Sequence, residues 1–492
     1  MKRILLALLC LILSPTLIYA QYEPPLMEEF LKGVKGINSF SLNDHVSIIQ
    51  INNDNENFQL MAVDDKMRVL WSNTYPGYAL SVDRFKGKVV ALVSTDHSFF
   101  KGANDTYKAY LVDPATGKLI VDKVIYTGPN EYRCFAELST GNGDYMKLLV
   151  RQTGLKRSMK VALPGPFAYF SFKAYRRQNI QTTAMQILDY DEKLNVASTI
   201  SPIISNGNYI GTSWNKHGDM FISWLNGPNI EISRYDAGKT APSNQMALDG
   251  EFKENKDFDP ADLLSFKPSD VDNNVLYYGM FFRSQDKQMV LNIGKFDFAT
   301  NKKEYSNEVF TKDHLKQIKK NFVPIDKKID ENDAGDARGF GIKYINEIDG
   351  KLIVSFAANS QLVSNRGSYF MEATTIINGY DKNLQPKFQV LLPSKSGSPH
   401  RTLETGYHFV NNKLHIISNS TEHSNSGLYA VLDVNTGNWD KMAYLSKKHL
   451  NKDDFSDGPN ILWFKDCFLV PYFDPKGWTQ SSYNIALQQN TY

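Results

Sequence analysis

The chain has 492 residues, 55 of them Lys or Arg and 53 Asp or Glu, with 42% apolar and 22% charged residues, 31 Gly and 20 Pro. That composition excludes a collagen, a coiled coil and a wholly disordered chain, and the near balance of charge speaks against a nucleic-acid binder, whose footprint is excess positive charge. Aromatic residues at 12% lean toward β-structure, where flat rings fit a pleated, half-buried surface.

Residues 1–20 open with Lys2 and Arg3, continue with an apolar run from Ile4 to Leu13, break at Ser14 and Pro15, and end on small Ala20 ahead of Gln21. This pattern predicts a cleaved secretory signal, since the run is shorter than the roughly 20 residues that span a bilayer. Cys10 follows Ala7, Leu8 and Leu9 in mid-run, which is the wrong setting for lipidation, and no later segment is apolar enough to span a membrane. The expected location is therefore exported: periplasmic, cell-surface or extracellular. The signal carries two bases and no acids, so its removal leaves a net charge near zero. It also leaves only Cys134 and Cys467, too few for a disulfide framework; both sit in apolar, strand-like runs and are expected as buried free thiols. Residues 21–38 form a short N-terminal segment before the repetitive part of the chain, 39–492.

Along 39–492 a short strand ending in an apolar residue and Asp recurs seven times, at Asp64, Asp113, Asp191, Asp236, Asp297, Asp381 and Asp433, each followed by a polar turn and another strand. Asp opening such a turn accepts hydrogen bonds from backbone N–H groups two residues on, so its role is structural. Upstream of each copy lies a second hairpin turn: Asn43-Asp44, Lys86-Gly87, Asn142-Gly143, His217-Gly218, Asn273-Asn274, Asp349-Gly350 and Asn411-Asn412. An eighth, Lys465-Asp466, follows the last Asp copy. Each unit reads as four antiparallel strands, A-B then C-D. Sheets apolar on both faces must stack around a common axis, which predicts an all-β β-propeller of four-stranded blades, eight in number. The fourth strand of the eighth blade is either absent or supplied by residues just after the signal. Seven blades is the alternative count, and a pair of β-sandwiches a more distant one.

This pattern of units resembles the secreted bacterial β-propellers of the quinoprotein-like and kelch-like kind, from about Ser39 to the C-terminus. The tryptophan-rich docking repeat of quinoprotein blades, the paired glycines of kelch, a Trp-Asp repeat and the sialidase box are all missing, so the resemblance implies shape and carries no functional residue over.

In an A-B-C-D blade the A-B and C-D turns open on one rim, and the B-C loops and D-to-next-A connections on the other. The long segments, 152–183, 243–267, 311–341 and 394–404, all fall on the second rim, and long loops on one face of a rigid scaffold carry binding. The 152–183 insertion interleaves bases with aromatic residues, and Arg157, Tyr169, Phe172, Arg176 and Arg177 are its candidate ligand contacts. His400 and Arg401 stand on the same face, with Glu404 and Tyr407 close by. Thr311–Phe322 has Leu315, Ile318 and Phe322 at helical spacing and predicts one short helix packed on the rim. Asp330-Glu331-Asn332-Asp333-Ala334-Gly335-Asp336 offers oxygen ligands for calcium, but Ala334 and Gly341 break the EF-hand pattern, which makes it an exposed acidic loop.

No His-Glu-x-x-His, Cys-x-x-Cys, Gly-x-Ser-x-Gly or P-loop is present, so neither a metal nor a cofactor is expected and no catalytic residue is assigned. Glu131, Asp262 and Glu404 are acids on suitable loops only. His408 and His415 flank an A-B turn. Three functions follow in order: a binding or scaffold module for a protein or glycan partner on the long-loop face; a polysaccharide hydrolase or lyase whose acids converge from several blades; and a structural part of a cell-envelope assembly, whose sign would be an apolar patch on the outer D strands. Richness in Lys and Asn behind a short signal fits a bacterial source. The sequons at Asn104 and Asn419 matter only in a eukaryotic secretory pathway.

Overall fold

The computed structural model describes the chain from Pro25 to Tyr492 apart from 35, 53–55, 96–105, 130, 157–180, 205–207, 227–228, 250–263, 285–287, 321–339, 365–366, 395, 399–403, 421–425, 447–453 and 476–482. Eight antiparallel sheets follow one another along it. Blades 1 to 7 span 37–76, 78–127, 132–200, 208–249, 264–310, 340–392 and 406–444. The eighth combines Cys467–Pro475 and Tyr483–Thr491 with two short inner pieces, and its fourth strand is Leu26–Val34, which pairs antiparallel with Tyr483–Thr491. The N-terminus thus closes the ring, and the segment set apart as 21–38 contributes a strand to the propeller. The protein is an eight-bladed β-propeller.

The blade count has a physical basis in the core. Buried apolar residues fall into eight clusters, one for each gap between neighbouring blades, including the gap between blades 8 and 1, where Leu31, Val34, Ile49 and Ile51 meet Phe473, Ile485 and Leu487. Each B strand is buried on both faces. In Lys88–Ser94, Val89, Ala91 and Val93 face blade 1 while Val90 and Leu92 face blade 3, all five with no exposed surface. This is why the strand reads as an unbroken apolar run rather than an alternating one. At about 25 cal/mol per Å² of apolar surface removed from water, each such side chain stabilises the stack by roughly 1.5 to 3 kcal/mol.

All eight A-B turns and all seven Asp turns lie where the sequence places them, between A and B and between C and D. Six of the seven aspartates accept two backbone N–H groups on Oδ1, for example Ala115 and Thr116 at 2.8 and 3.1 Å for Asp113, and Asn435 and Thr436 at 2.8 and 3.1 Å for Asp433. Asp236 departs from the rule: it pairs with Arg234 Nε at 3.0 Å, and Asp219 takes the N–H of Ala237 instead. After Asp113 and Asp433 the left-handed position is filled by Gly117 and Gly437, at φ 69° and 74°. After Asp64, Asp191 and Asp381 it is filled by Met67, Leu194 and Leu384, whose burial beneath the turn offsets the strain of φ near 60°.

Cys134 and Cys467 are buried thiols, not joined in a disulfide. Helix α1, Lys312–Lys320, is where the apolar spacing predicts one, with Ile318 buried against blades 5 and 6. Among the described residues no helix is long and apolar enough to cross a membrane.

Candidate functional site

The B-C/D-A face is the long one. In blade 3 the B strand ends at Lys156 and the C strand begins at Thr182; Arg157, Tyr169, Phe172, Arg176 and Arg177 fall between them in the sequence and lie outside the described residues. His400 and Arg401, Asp262, Asn104 and the acidic run Asp330–Asp336 also lie outside them. The connection carrying His400 and Arg401 leads from Ser396–Ser398 on blade 6 to Gly406–Val410 on blade 7. Glu131 and Glu404 are exposed.

One element of this face escaped the sequence reading. The B strand of blade 6, Lys351–Ser364, runs 14 residues; its second half, Asn359–Ser364, leaves the blade and pairs with Gly367–Glu372, which pairs in turn with Ser396–Ser398. A second small sheet therefore stands on the long-loop face. Asn365-Arg366-Gly367 between two β-rich runs was the signal available for it.

At the base of this sheet Glu372 is 3% exposed and lies 2.7 Å from Lys343 on the A strand of blade 6. Burial raises the Glu372 carboxyl above the usual carboxylate range, the Lys343 ammonium opposes that, and the charge of Glu404 adds to it. Beside them Tyr407 stacks on Tyr344 with ring centres 4.5 Å apart, and its hydroxyl meets Ser355 Oγ at 2.5 Å. The arrangement brings Glu372, with Lys343, near Tyr407, and the charge of Glu404 reaches Glu372. With so little of Glu372 exposed, the ion pair holds the small sheet to the inner strands and gives a substrate no access to its carboxyl.

A cleft of about 400 Å³ opens on the perimeter between blades 5 and 6. At its floor Glu308 Oε1 meets His314 Nε2 at 2.6 Å and accepts from Gln389 Nε2 at 2.7 Å, while Oε2 accepts from Asn378 Nδ2 at 2.9 Å. Glu308 lies on the outer strand of blade 5, Lys302–Phe310, and His314 belongs to α1, so this network clamps the helix to the rim.

Around the outside, Val69 and Leu70 of blade 1, Leu119, Ile120 and Val124 of blade 2 and Val196 of blade 3 are exposed by 38 to 49%, all on D strands. On the A-B side, His408 and His415 face each other across the hairpin of blade 7. His408 stacks on Trp463 at 4.8 Å, and Tyr429 OH lies 2.8 Å from His415 Nδ1. Asn419, one of the two sequons, has no exposed surface; its amide donates to Ser456 O and accepts from Ser456 N and Oγ, so it offers no glycan acceptor. Among the described residues no cluster of three or more His, Cys, Asp or Glu is placed to hold a metal.

No family model and no curated protein matches the sequence. Among solved structures the chain is similar to the Dos1 propeller at 9% identity, with 95% of each chain covered and a TM-score of 0.44. It is also similar to a europium-containing methanol dehydrogenase at 8%, covering 94% of this chain and 93% of that one, TM-score 0.43. The WD40 domain of SCAP from fission yeast matches at 9% over 94% of this chain and 98% of that one, TM-score 0.40. These are likenesses of fold alone.

Proposed function

We propose that this chain is an exported β-propeller that serves as a binding or scaffold module, holding a protein or glycan partner on its B-C/D-A face. The observation that carries the reading is the unequal build of the two faces. One is closed by short turns, whereas the other bears helix α1 and the small sheet over blade 6, and the B and C strands of blade 3 open toward it. A rigid ring with elaboration confined to one face is how binding loops are displayed. The bases and aromatic residues of the insertion supply cation, stacking and hydrogen-bonding chemistry suited to a sugar ring or an acidic protein surface. Export rests on the 1–20 segment, and a bacterial source on composition.

The test is a glycan array and an affinity pull-down with the chain from Gln21 onward, beside a variant with Arg157, Arg176 and Arg177 replaced by Ala. The reading expects a ligand retained by the first and lost by the second. Retention by both proteins, or by neither, overturns it.

A second reading, a structural part of a cell-envelope assembly, draws on the six exposed apolar residues that run along the D strands of blades 1 to 3. Large apolar side chains left exposed on neighbouring outer strands are the kind of surface that marks association. Replacing Leu70 and Ile120 by Glu should release the protein from any such assembly, read by co-fractionation with envelope membranes; unchanged fractionation removes this reading.

A further inference from the structure

The strand that closes the ring, Tyr483–Thr491, pairs with Cys467–Pro475 on one side and with Leu26–Val34 on the other. The second pairing begins at Leu26 with Gln488, and Pro25 O accepts from Gln489 N; beyond that point the strand has ladder partners on one side only, Phe468 for Asn490 and Cys467 for Thr491. Tyr492 follows, at the A-B end of the gap between blades 7 and 8, and is held there by rings. It meets His415 edge-on at 4.6 Å, lies within 17° of parallel to His408 and Trp463 with ring centres 6.5 Å away, and packs on Phe468 at 5.6 Å. Its hydroxyl donates to Phe464 O at 2.8 Å. Two rings of this cluster are imidazoles, in register with each other across the blade 7 hairpin, and His415 is 6% exposed.

We propose that His408 and His415 make this cluster an acid-operated latch on the ring closure: charging the imidazoles releases Tyr492 and the adjoining end of Tyr483–Thr491 while the other blades stay closed. An imidazolium buried among rings gives up its hydration, and ring faces offset only part of that loss. The charged neighbours add to the cost. His408 faces His415 from the A strand, and from the D strand Lys441 stands over the Tyr429 ring at 4.9 Å. Lys413, two residues from His415 toward the turn, is taken up by Asp433 and Asp440, and on blade 8 the charge of Asp466 reaches Tyr492 and Cys467. Among the described residues no carboxylate is bonded to either imidazole. Burial, with His408 and Lys441 adding to it, pushes His415 down to about 4, and burial lowers His408 as well. The folded value lies below the ordinary 6.5, so the closed cluster is fully favoured above that pH and gives way, as the pH falls toward 4, to an open one whose imidazole takes up the proton. The opening is local because the one-sided end of the strand is the least held part of the closure, and lifting it uncovers His415 without parting another blade.

The two buried thiols read this out within one molecule. Cys467 lies directly opposite Thr491, so the opening uncovers it, whereas Cys134 is in blade 3. The full chain is labelled with dithiodipyridine, which reacts with thiols in acid as well as at neutral pH, and each cysteine is followed by mass spectrometry. Labelling of Cys467 relative to Cys134 should rise about thirtyfold from pH 7.5 to pH 5, the ratio that an imidazole at 6.5 when open and about 4 when closed gives. His415→Gln should remove most of that rise. Tyr492→Ala, with the latch already undone, should raise Cys467 labelling at pH 7.5 and flatten its pH dependence, and thermal melts at pH 7.5 show that each variant is folded. A parallel rise at both cysteines means global unfolding and overturns the latch. So do an unchanged ratio down to pH 5, a rise that persists in folded His415→Gln, and a folded Tyr492→Ala protein that labels as the parent does.

Discussion

At the A-B/C-D end of the ring polarity is settled locally: six aspartates accept N–H groups from their own turns, and two of those turns seat Gly117 and Gly437 against the outer strand of the preceding blade, beside Trp71 and Phe388. At the B-C/D-A end it is settled by side chains from different strands and blades, Lys343 with Glu372 and Glu308 with Asn378 and Gln389. A turn that satisfies its own backbone can recur seven times with little regard to its neighbours. An ion pair between a distant strand and a small added sheet depends on tertiary placement and responds to pH and to the loss of either partner. The two ends should therefore fail in different ways.

The largest expected effect is at the elaborated end. Lys343→Met leaves the Glu372 carboxyl buried without its ammonium and should cost about 3 to 5 kcal/mol at pH 7, measured by denaturant unfolding. Because burial raises the folded pKa of Glu372 above its unfolded value near 4.5, the contribution of this group is fully present below that value and is lost as pH rises through the folded one. The variant should therefore recover on acidification, and adding Glu372→Gln should restore most of the loss at neutral pH. A cost under about 1 kcal/mol would mean that water screens the pair, and the contrast between the ends would collapse.

The turn end should show the opposite pH response. His415 is 6% exposed, and its imidazole is pushed down to about 4 by burial, with His408 and Lys441 adding to the shift. The folded value lies below the ordinary 6.5, so stability is intact above pH 6.5 and falls as the pH drops from there toward 4, while the unfolded chain alone takes up the proton. At roughly 1.4 kcal/mol per unit the loss should reach about 2 to 3 kcal/mol. His415→Gln should flatten that segment of a stability-against-pH curve. An unchanged slope would assign the acid sensitivity elsewhere.

These contrasts also explain what the sequence could convey. Turn residues and apolar runs are local signals, so Asp113, Asp433 and the eight A-B turns were legible, and with them the blades. The closure of blade 8 by Leu26–Val34 was one of two open arrangements, because pairing a strand with Tyr483–Thr491 across the whole chain leaves no local mark. The same holds for Glu372 beside Lys343. Asn419 shows the converse error: a local motif complete in sequence, in a residue the fold encloses.

Gly437→Ala should cost about 2 kcal/mol at the turn end. It combines a left-handed φ of 74° with a Cβ placed 2.5 Å from Cβ and Cγ of Phe388, which belongs to blade 6. The added atom pushes on the neighbouring blade, so the penalty reports how closely the blades approach there, and thermal unfolding should register it. Gly87→Ala, with a similar φ of 73° and nothing within 4 Å of its Cβ, carries the strain without the overlap. If both cost the same, close approach contributes nothing.

The smallest effect tests the turns alone. Asn411 and Asn412 both have positive φ, 52° and 61°, the paired left-handed geometry of a tight two-residue hairpin. Asn tolerates this conformation better than most residues, and Gly adopts it without strain but gives up more freedom on folding. The two terms oppose each other, so Asn412→Gly should move stability by no more than about 0.5 kcal/mol, whereas Asn412→Val should cost more than 1 kcal/mol because a β-branched side chain is a poor fit to that backbone. Paired melts of the two variants measure the difference. A large loss with Gly would show that the Asn412 side chain itself holds the hairpin, and the turn end would then depend on side chains as the loop end does.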